Sequence, residues 1–198
     1  MDEWLTVYDE EGHTAGCAPR DRVHREGLLH RVVHVWIASS DGGSCRLWFQ
    51  QRSWSKADFP GLYDFAVGGH IGHGEDVLEA ALRETWEETG LMLRKESLEL
   101  LGVWRGDFRD GDFWNREMAQ IYLYRDCAPA FAPGEELADM VSVALEDFLH
   151  RTQREIVAQS WDGREVTIAP EQWCGDFREF EAVVYPALRR DSGEGSLR

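Results

Sequence analysis

One 23-residue run, GHIGHGEDVLEAALRETWEETGL from Gly69 to Leu91, gathers residues that bind cations and move protons. Glu75, Arg83, Glu84, Glu87 and Glu88 all lie between Gly69 and Gly90. On a helix, Glu84, Glu87 and Glu88 fall at i, i+3 and i+4, so they share a face. Leu78, Ala81, Leu82 and Thr85 fall on a different arc, the expected core stripe. Gly90 is expected to end the helix in the left-handed conformation. The glutamates then occupy the last turns, where the helix dipole is negative. Each like-charged pair opposes the helix by roughly 0.2–0.5 kcal/mol, and a helix wanted only for packing would do better with Lys there. Three carboxylates so placed suit Mg²⁺ or Mn²⁺, hard cations that keep waters and recruit substrate phosphates. A single Glu-Glu pair is ordinarily a solvated face. Seven typed positions, each at roughly 7% background usage, coincide on the order of 10⁻⁸ per window.

The run resembles the Nudix box, Gly-x5-Glu-x7-Arg-Glu-U-x-Glu-Glu-x-Gly-U, where U is a bulky aliphatic residue. Gly69, Glu75, Arg83, Glu84, Glu87, Glu88, Gly90 and Leu91 match, and Thr85 departs at a U position. A Thr there keeps the β-branched shape and brings a hydroxyl able to bond back to a backbone carbonyl. The resemblance implies an α/β fold, the Nudix α/β/α sandwich with a mixed β-sheet. It implies Mg²⁺- or Mn²⁺-dependent hydrolysis of a nucleoside-diphosphate derivative or a similar organic diphosphate. Glu84, Glu87 and Glu88 match the metal-binding and water-activating acids, and the Gly69 carbonyl a frequent metal ligand. Glu75 matches an acid of the supporting shell, and Arg83 the arginine that orients the carboxylates.

The flanking stretches GLLHRVVHVWI and QRSWSKADFPGLYDFAVGGH are similar to isopentenyl-diphosphate isomerase and its Nudix relatives. Arg52 and Lys56 match that isomerase's R-x-x-S-K cations, which implies that they hold the substrate diphosphate; two cations four residues apart can contact phosphate oxygens. The isomerase also uses a Cys immediately before the Gly-His of the box and a later Glu-x-Glu. Here those places are Gly68 and Asn115-Arg116-Glu117. The framework therefore points to a hydrolase on an isomerase-like scaffold. The alternatives are an isomerase-like enzyme and a non-catalytic diphosphate-binding module, whose box acids are usually eroded. The resemblance further implies an additional metal, for which His24, His30, His70 and Glu117 are a partial set; His34 and His73 add nearby imidazoles. Trp54, Trp104, Phe108, Phe113 and Trp114 are candidates for stacking a nucleobase.

Composition bounds the rest. The chain has 198 residues and a net charge of −16, which argues against a nucleic-acid partner. No apolar stretch reaches transmembrane length, and no signal-peptide pattern opens the chain. Cys17, Cys45, Cys127 and Cys174 are scattered and read as free thiols in a reducing cytoplasm. The expected partner is a small-molecule diphosphate, not a membrane. A homodimer is an option through the first strand or the terminal helix.

One domain is expected over residues 1–198. Its core covers about 28–155, with a strand extension at 1–27, a C-terminal extension at 156–190 and a disordered tail at 191–198. Strands are expected at Trp4–Tyr8, Val32–Ala38, Arg46–Gln51, up to about Val67, Leu98–Trp104, Met118–Tyr124 and Val141–Leu145. Asp41-Gly42-Gly43 signals a hairpin, and Asp162-Gly163 centres another over Ile156–Ile168. Residues 19–27 read as loop or short helix, 105–117 as a Gly- and Asp-rich loop, and Glu146–Thr152 as a short helix. Asp176–Arg190 reads as a terminal helix with a kink at Pro186.

Overall fold

The computed structural model describes residues 3–41, 43–56, 58–134, 136–175 and 177–191. Gly42 of the first hairpin signal, Asp176 at the expected start of the terminal helix, and the tail 192–198 lie outside the described residues. The strands are β1 (Trp4–Tyr8), β2 (Thr14–Pro19), β3 (Leu29–Asp41), β4 (Ser44–Arg52), β5 (Tyr63–Phe65), β6 (Val67–His70), β7 (Leu98–Asp110), β8 (Phe113–Arg125), β9 (Leu137–Ala144), β10 (Ile156–Ser160) and β11 (Glu165–Ile168). The helices are α1 (Arg20–Glu26), α2 (Val77–Thr89), α3 (Leu145–Phe148) and α4 (Tyr185–Asp191). No helix among the described residues is long and apolar enough to cross a membrane.

The sheet is mixed and centres on β3. β8 runs parallel to it, in register from His30↔Glu117 to Ala38↔Arg125. β4 and β6 are antiparallel to it, with Val32↔His70 and His34↔Gly68 facing across the second pair. Side chains alternate along β3 as period two requires. Val33, Val35 and Ile37 pack with Ala80 and Ala81 of α2. Val32, Trp36 and Ala38 pack on the other face with Phe148, Phe180, Val184 and Leu188. Helical segments thus cover both faces, which is the α/β/α arrangement that the motif implied.

The structure differs from expectation in two places. Residues 105–117 are not a loop: β7 and β8 extend through them to a turn at Gly111, whose φ is 57°. Cross-strand contacts hold the extension, with Arg116 Nε 3.4 Å from Asp107 and Trp114 Nε1 donating to Asp107 at 2.8 Å. Residues 20–26 form a helix, the second of the two expected alternatives. The terminal segment begins with a π-helical turn over Phe180–Val184 and continues as α4, which includes Asp191. Pro186 has no N–H to return to the carbonyl four residues back, and the turn before it is the widened one.

The fully buried Phe180 packs on Trp36 at 5.1 Å and Phe148 at 4.9 Å between ring centroids. Phe180→Ala is expected to cost about 3–5 kcal/mol of stability in denaturant unfolding; a loss below about 1 kcal/mol would detach the terminal segment from the core.

Candidate functional site

α2 forms where its caps and its apolar stripe agree. The Asp76 carboxylate accepts from the N–H groups of Leu78 and Glu79, and Gly90 closes the helix at φ 76°. Ala81 and Thr85 are buried, Leu78 and Leu82 half-buried, and Ala80 and Thr89 join them. The Thr85 hydroxyl donates to the Ala81 carbonyl at 2.6 Å, so the departure from an aliphatic residue leaves no buried polar group unpaired.

Arg83 organises the acids. Its Nε and Nη2 grip Glu75 at 2.8 and 2.9 Å. Its Nη1 donates to Glu84 at 2.7 Å and Glu87 at 3.0 Å, and Nη2 also reaches the His70 carbonyl at 3.1 Å. Glu75 accepts in addition from the Gly72 N–H at 2.8 Å. These bonds, the Arg83 pair first, hold the Glu75 carboxyl below its usual range. Glu88 turns the other way, under the sheet edge, accepting from Gly68 N and Gln50 Nε2 at 3.2 Å each. Burial pushes Glu88 up to about 8, and the neighbouring Glu84 charge adds to it. Burial also pushes Glu84 to about 7, with Arg83 pulling back and Glu87 and Glu3 adding repulsion. Glu87 is the open member, its side chain 46% exposed.

Gly69 is required by contact. A Cβ there would lie 2.0 Å from Glu84 Cδ, so the glutamate reaches this backbone only because no side chain intervenes. The three box glutamates do not close into one tight set of ligand atoms; Arg83 divides two of them and Glu88 takes the backbone. Their donor chemistry fits a hard divalent cation, and gathering all three requires Arg83 to release one.

Two other sets do converge, each with ligand atoms within 4.8 Å of one another. The first is His24, His30 and His70. His24 and His70 face each other Nε2 to Nε2 at 3.3 Å, and His30 Nε2 is buried without a partner. Burial first, then neighbouring cations, holds His24 at about 4 and His70 well below its usual value. Neutral imidazoles gathered in this way suit a transition metal. Glu117 belongs to the second set instead, with His34 and Glu179.

Beside the box opens a cleft of about 470 Å³. Gly68, Gly69, His70 and Arg52 line it, and the β7–β8 extension contributes Trp104, Phe108 and Phe113. Arg52 lies in the cleft with Nε and Nη2 both donating to the Asp58 carbonyl. Lys56 sits in an adjoining depression, paired with Glu136. Trp54 is 71% exposed and rests against Gly61, while Trp114 rests against Gly27; neither lines the main cleft.

The place before the box has a physical reason for its glycine. A Cβ at Gly68 would lie 2.7 Å from Phe65 Cε2, so the Phe65 ring takes the space that a cysteine would need. That ring packs on His34 at 4.1 Å between centroids. Cys174 does line the cleft, but burial and a hydrogen bond with Asp64 hold its thiol far above its usual value. Asp64, Cys174, Glu179 and the His34 pairing had no distinguishing signal in the sequence.

A family model described as NUDIX domain matches residues 28–161. An uncharacterised Nudix hydrolase of Clostridium acetobutylicum is 33% identical over 149 residues, 74% of this chain and 72% of that protein. An isopentenyl-diphosphate Delta-isomerase of Serratia proteamaculans is 37% identical over 139 residues, 68% of this chain and 73% of that protein. The crystal structure of DR0079 from Deinococcus radiodurans matches with a TM-score of 0.60 at 26% identity, over 75% of this chain and 88% of that one.

The raised carboxyls set a pH dependence. Folded Glu84 and Glu88 keep protons to about 7 and 8, against about 4.3 in an unfolded chain. Between those limits these two carboxyls bind more protons folded than unfolded, while the depressed His24, His30 and His70 do the reverse up to about 6.5, so the cation-free protein loses stability as pH rises from about 7 to 8. Thermal unfolding in chelator is expected to show a midpoint falling across that window, and Glu88→Gln to flatten the fall. A rising midpoint would contradict it.

Proposed function

Because the chain belongs to the Nudix hydrolase family, we propose that it cleaves the diphosphate linkage of a nucleoside-diphosphate derivative or a similar organic diphosphate, using Mg²⁺ or Mn²⁺. The observation that carries this reading is the intact acid set, with Glu75, Glu84 and Glu87 on one guanidinium, beside the cleft that Gly68, Gly69 and His70 line. Glu84, Glu87, Glu88 and the Gly69 carbonyl would hold the cation. When bound, it supplies charge neutralisation of the diphosphate and a water of lowered pKa. The chain's own groups do the rest. Arg83 and Glu75 fix the carboxylates, and a carboxylate left free of the cation serves as base toward the attacking water. Arg52, whose remaining nitrogen is not committed to the Asp58 carbonyl, holds phosphate oxygens in the cleft. Lys56 reaches the substrate only by leaving Glu136. The neutral imidazoles of His24, His30 and His70 would hold a second metal.

The isomerase reading is disfavoured by Gly68 in the place of the cysteine, with the Phe65 ring filling the space of a side chain there, and by a cleft thiol kept protonated. A binding module without catalysis has no need for four buried or paired box acids.

With Mg²⁺ or Mn²⁺, the protein is expected to release phosphate or a nucleoside monophosphate from a member of a broad diphosphate panel, with isopentenyl diphosphate included. Glu87→Gln should lower kcat by about 10²–10⁴; equal turnover, or no turnover by the wild type, would defeat the reading. Elemental analysis of the purified protein should find a metal other than Mg²⁺ that His70→Ala loses, and a wild type without one would remove the second site.

A further inference from the structure

Glu84 and Glu87 share one holder, and Glu88 has another. Arg83 Nη1 takes Glu84 Oε1 and Glu87 Oε2. Arg83 also grips Glu75 and the His70 carbonyl, and Glu88 is not among its acceptors. Glu88 Oε2 accepts instead from two uncharged donors, Gln50 Nε2 and the Gly68 N–H, at 3.2 Å each. Its Oε1 has no donor among the described residues. That oxygen is not one of the side-chain atoms buried without a partner, so it keeps accessible surface in a residue only 7% exposed.

The two donors come from the sheet, while Glu88 comes from the helix. Gln50 stands on β4, buried, with Asp64 of β5 and Met140 of β9 as its partners in the strand register. Strands on both sides fix its backbone, and burial restricts its side chain. Gly68 stands on β6 opposite His34 of β3. Gln50 and Gly68 both line the cleft. An amide also suits the place electrically. A lysine there would neutralise Glu88 and compete with a cation for it, and a glutamate would repel it. An alkyl side chain would leave the buried carboxylate one donor short.

A ligand group is held in place by hydrogen bonds that leave its ligating atom open. We propose that Gln50 is a positioning residue for the box cation: with the Gly68 N–H it fixes Glu88 by Oε2 and leaves Oε1 as the ligand atom. The role rests on the hydrolase reading for the presence of the cation and adds how the third acid is presented to it. Where Arg83 must release one acid for the cation, Gln50 need release nothing. The box motif does not contain this residue, because the donor reaches Glu88 from a strand 38 residues earlier.

Mn²⁺ binding to the full chain, read by electron paramagnetic resonance without substrate, tests the role. Gln50→Met keeps the length of the side chain and removes the donor. It should weaken the Mn²⁺ sites that Glu88→Gln also weakens, by about tenfold to a hundredfold. In the Glu88→Gln background the same substitution should change Mn²⁺ affinity by less than about twofold, because Gln50 acts only through that carboxylate. A merely structural role would carry the loss into both backgrounds. A second measurement needs no variant. In the wild type, the Gln50 side-chain amide, assigned by triple-resonance NMR, should keep its hydrogen-bonded proton shift when Mg²⁺ is added, since Glu88 Oε2 stays in place. Unchanged Mn²⁺ affinity in Gln50→Met, equal losses in both backgrounds, or an amide that moves to the free-amide position with Mg²⁺ overturns the inference. Hydrolysis of the diphosphate panel is followed in parallel. Coupling of Gln50 to Glu88 without hydrolysis defeats the hydrolase reading alone, and hydrolysis without coupling defeats the role of Gln50 alone.

Discussion

A single guanidinium makes the acidic helix tolerable. Glu84, Glu87 and Glu88 crowd the negative end of α2, and Glu75 lies close by in the preceding loop. Arg83 answers with its planar fork, gripping Glu75 by two nitrogens and reaching Glu84, Glu87 and the His70 carbonyl. A lysine would supply the charge but not this geometry, because a point charge cannot hold several acceptors in fixed directions. Through these bonds the helix, the loop and the end of β6 become one body. Gly69 follows from that closeness, since the Glu84 side chain occupies the space of its Cβ.

The remaining acid shows what the guanidinium leaves undone. Glu88 is buried and takes a backbone N–H and a glutamine amide instead of a cation. Its carboxyl is pushed up by burial and by Glu84. Such a group is stable as a neutral acid and becomes a good ligand when a positive charge arrives. The metal-free arrangement is thus an arrangement under electrostatic tension, relieved in part by protons. A divalent cation relieves it more completely.

The cleft carries the local differences within a framework similar to an isopentenyl-diphosphate Delta-isomerase. The relation is real at the level of sequence, with 37% identity to an isomerase over 139 residues. Two local features distinguish this cleft from the pattern that the isomerase resemblance implies. Phe65 fills the volume beside Gly68, and one acid of the later pair is Asn115, whose amide donates to Glu117. The C-terminal segment, beyond the 28–161 family match, then adds Glu179 and Cys174 to the wall. The cleft wall thus combines residues from within the family match with residues from beyond it.

Where short-range chemistry decides the outcome, the sequence was readable. The apolar stripe, the Gly90 cap and the spacing of the glutamates determined α2 and its acidic face, because a helix repeats every few residues. Strand alternation placed β1, and the Asp162-Gly163 turn signal placed the β10–β11 hairpin. Residues 105–117 misled because Gly and Asp are locally turn-forming, while the Asp107 contacts that extend the hairpin come from the opposite strand. The cleft was hidden for a stronger reason. His34 and Glu179 are 145 residues apart, and neither carries a motif. The sequence by itself determined an acidic helix face, the family and the sandwich of helices on a mixed sheet. Only the tertiary structure decided that Glu88 turns away from its fellows, that Lys56 is already paired, and that a histidine, a glutamate and an asparagine share one wall. Those are facts of packing, and packing joins residues that chain order keeps far apart.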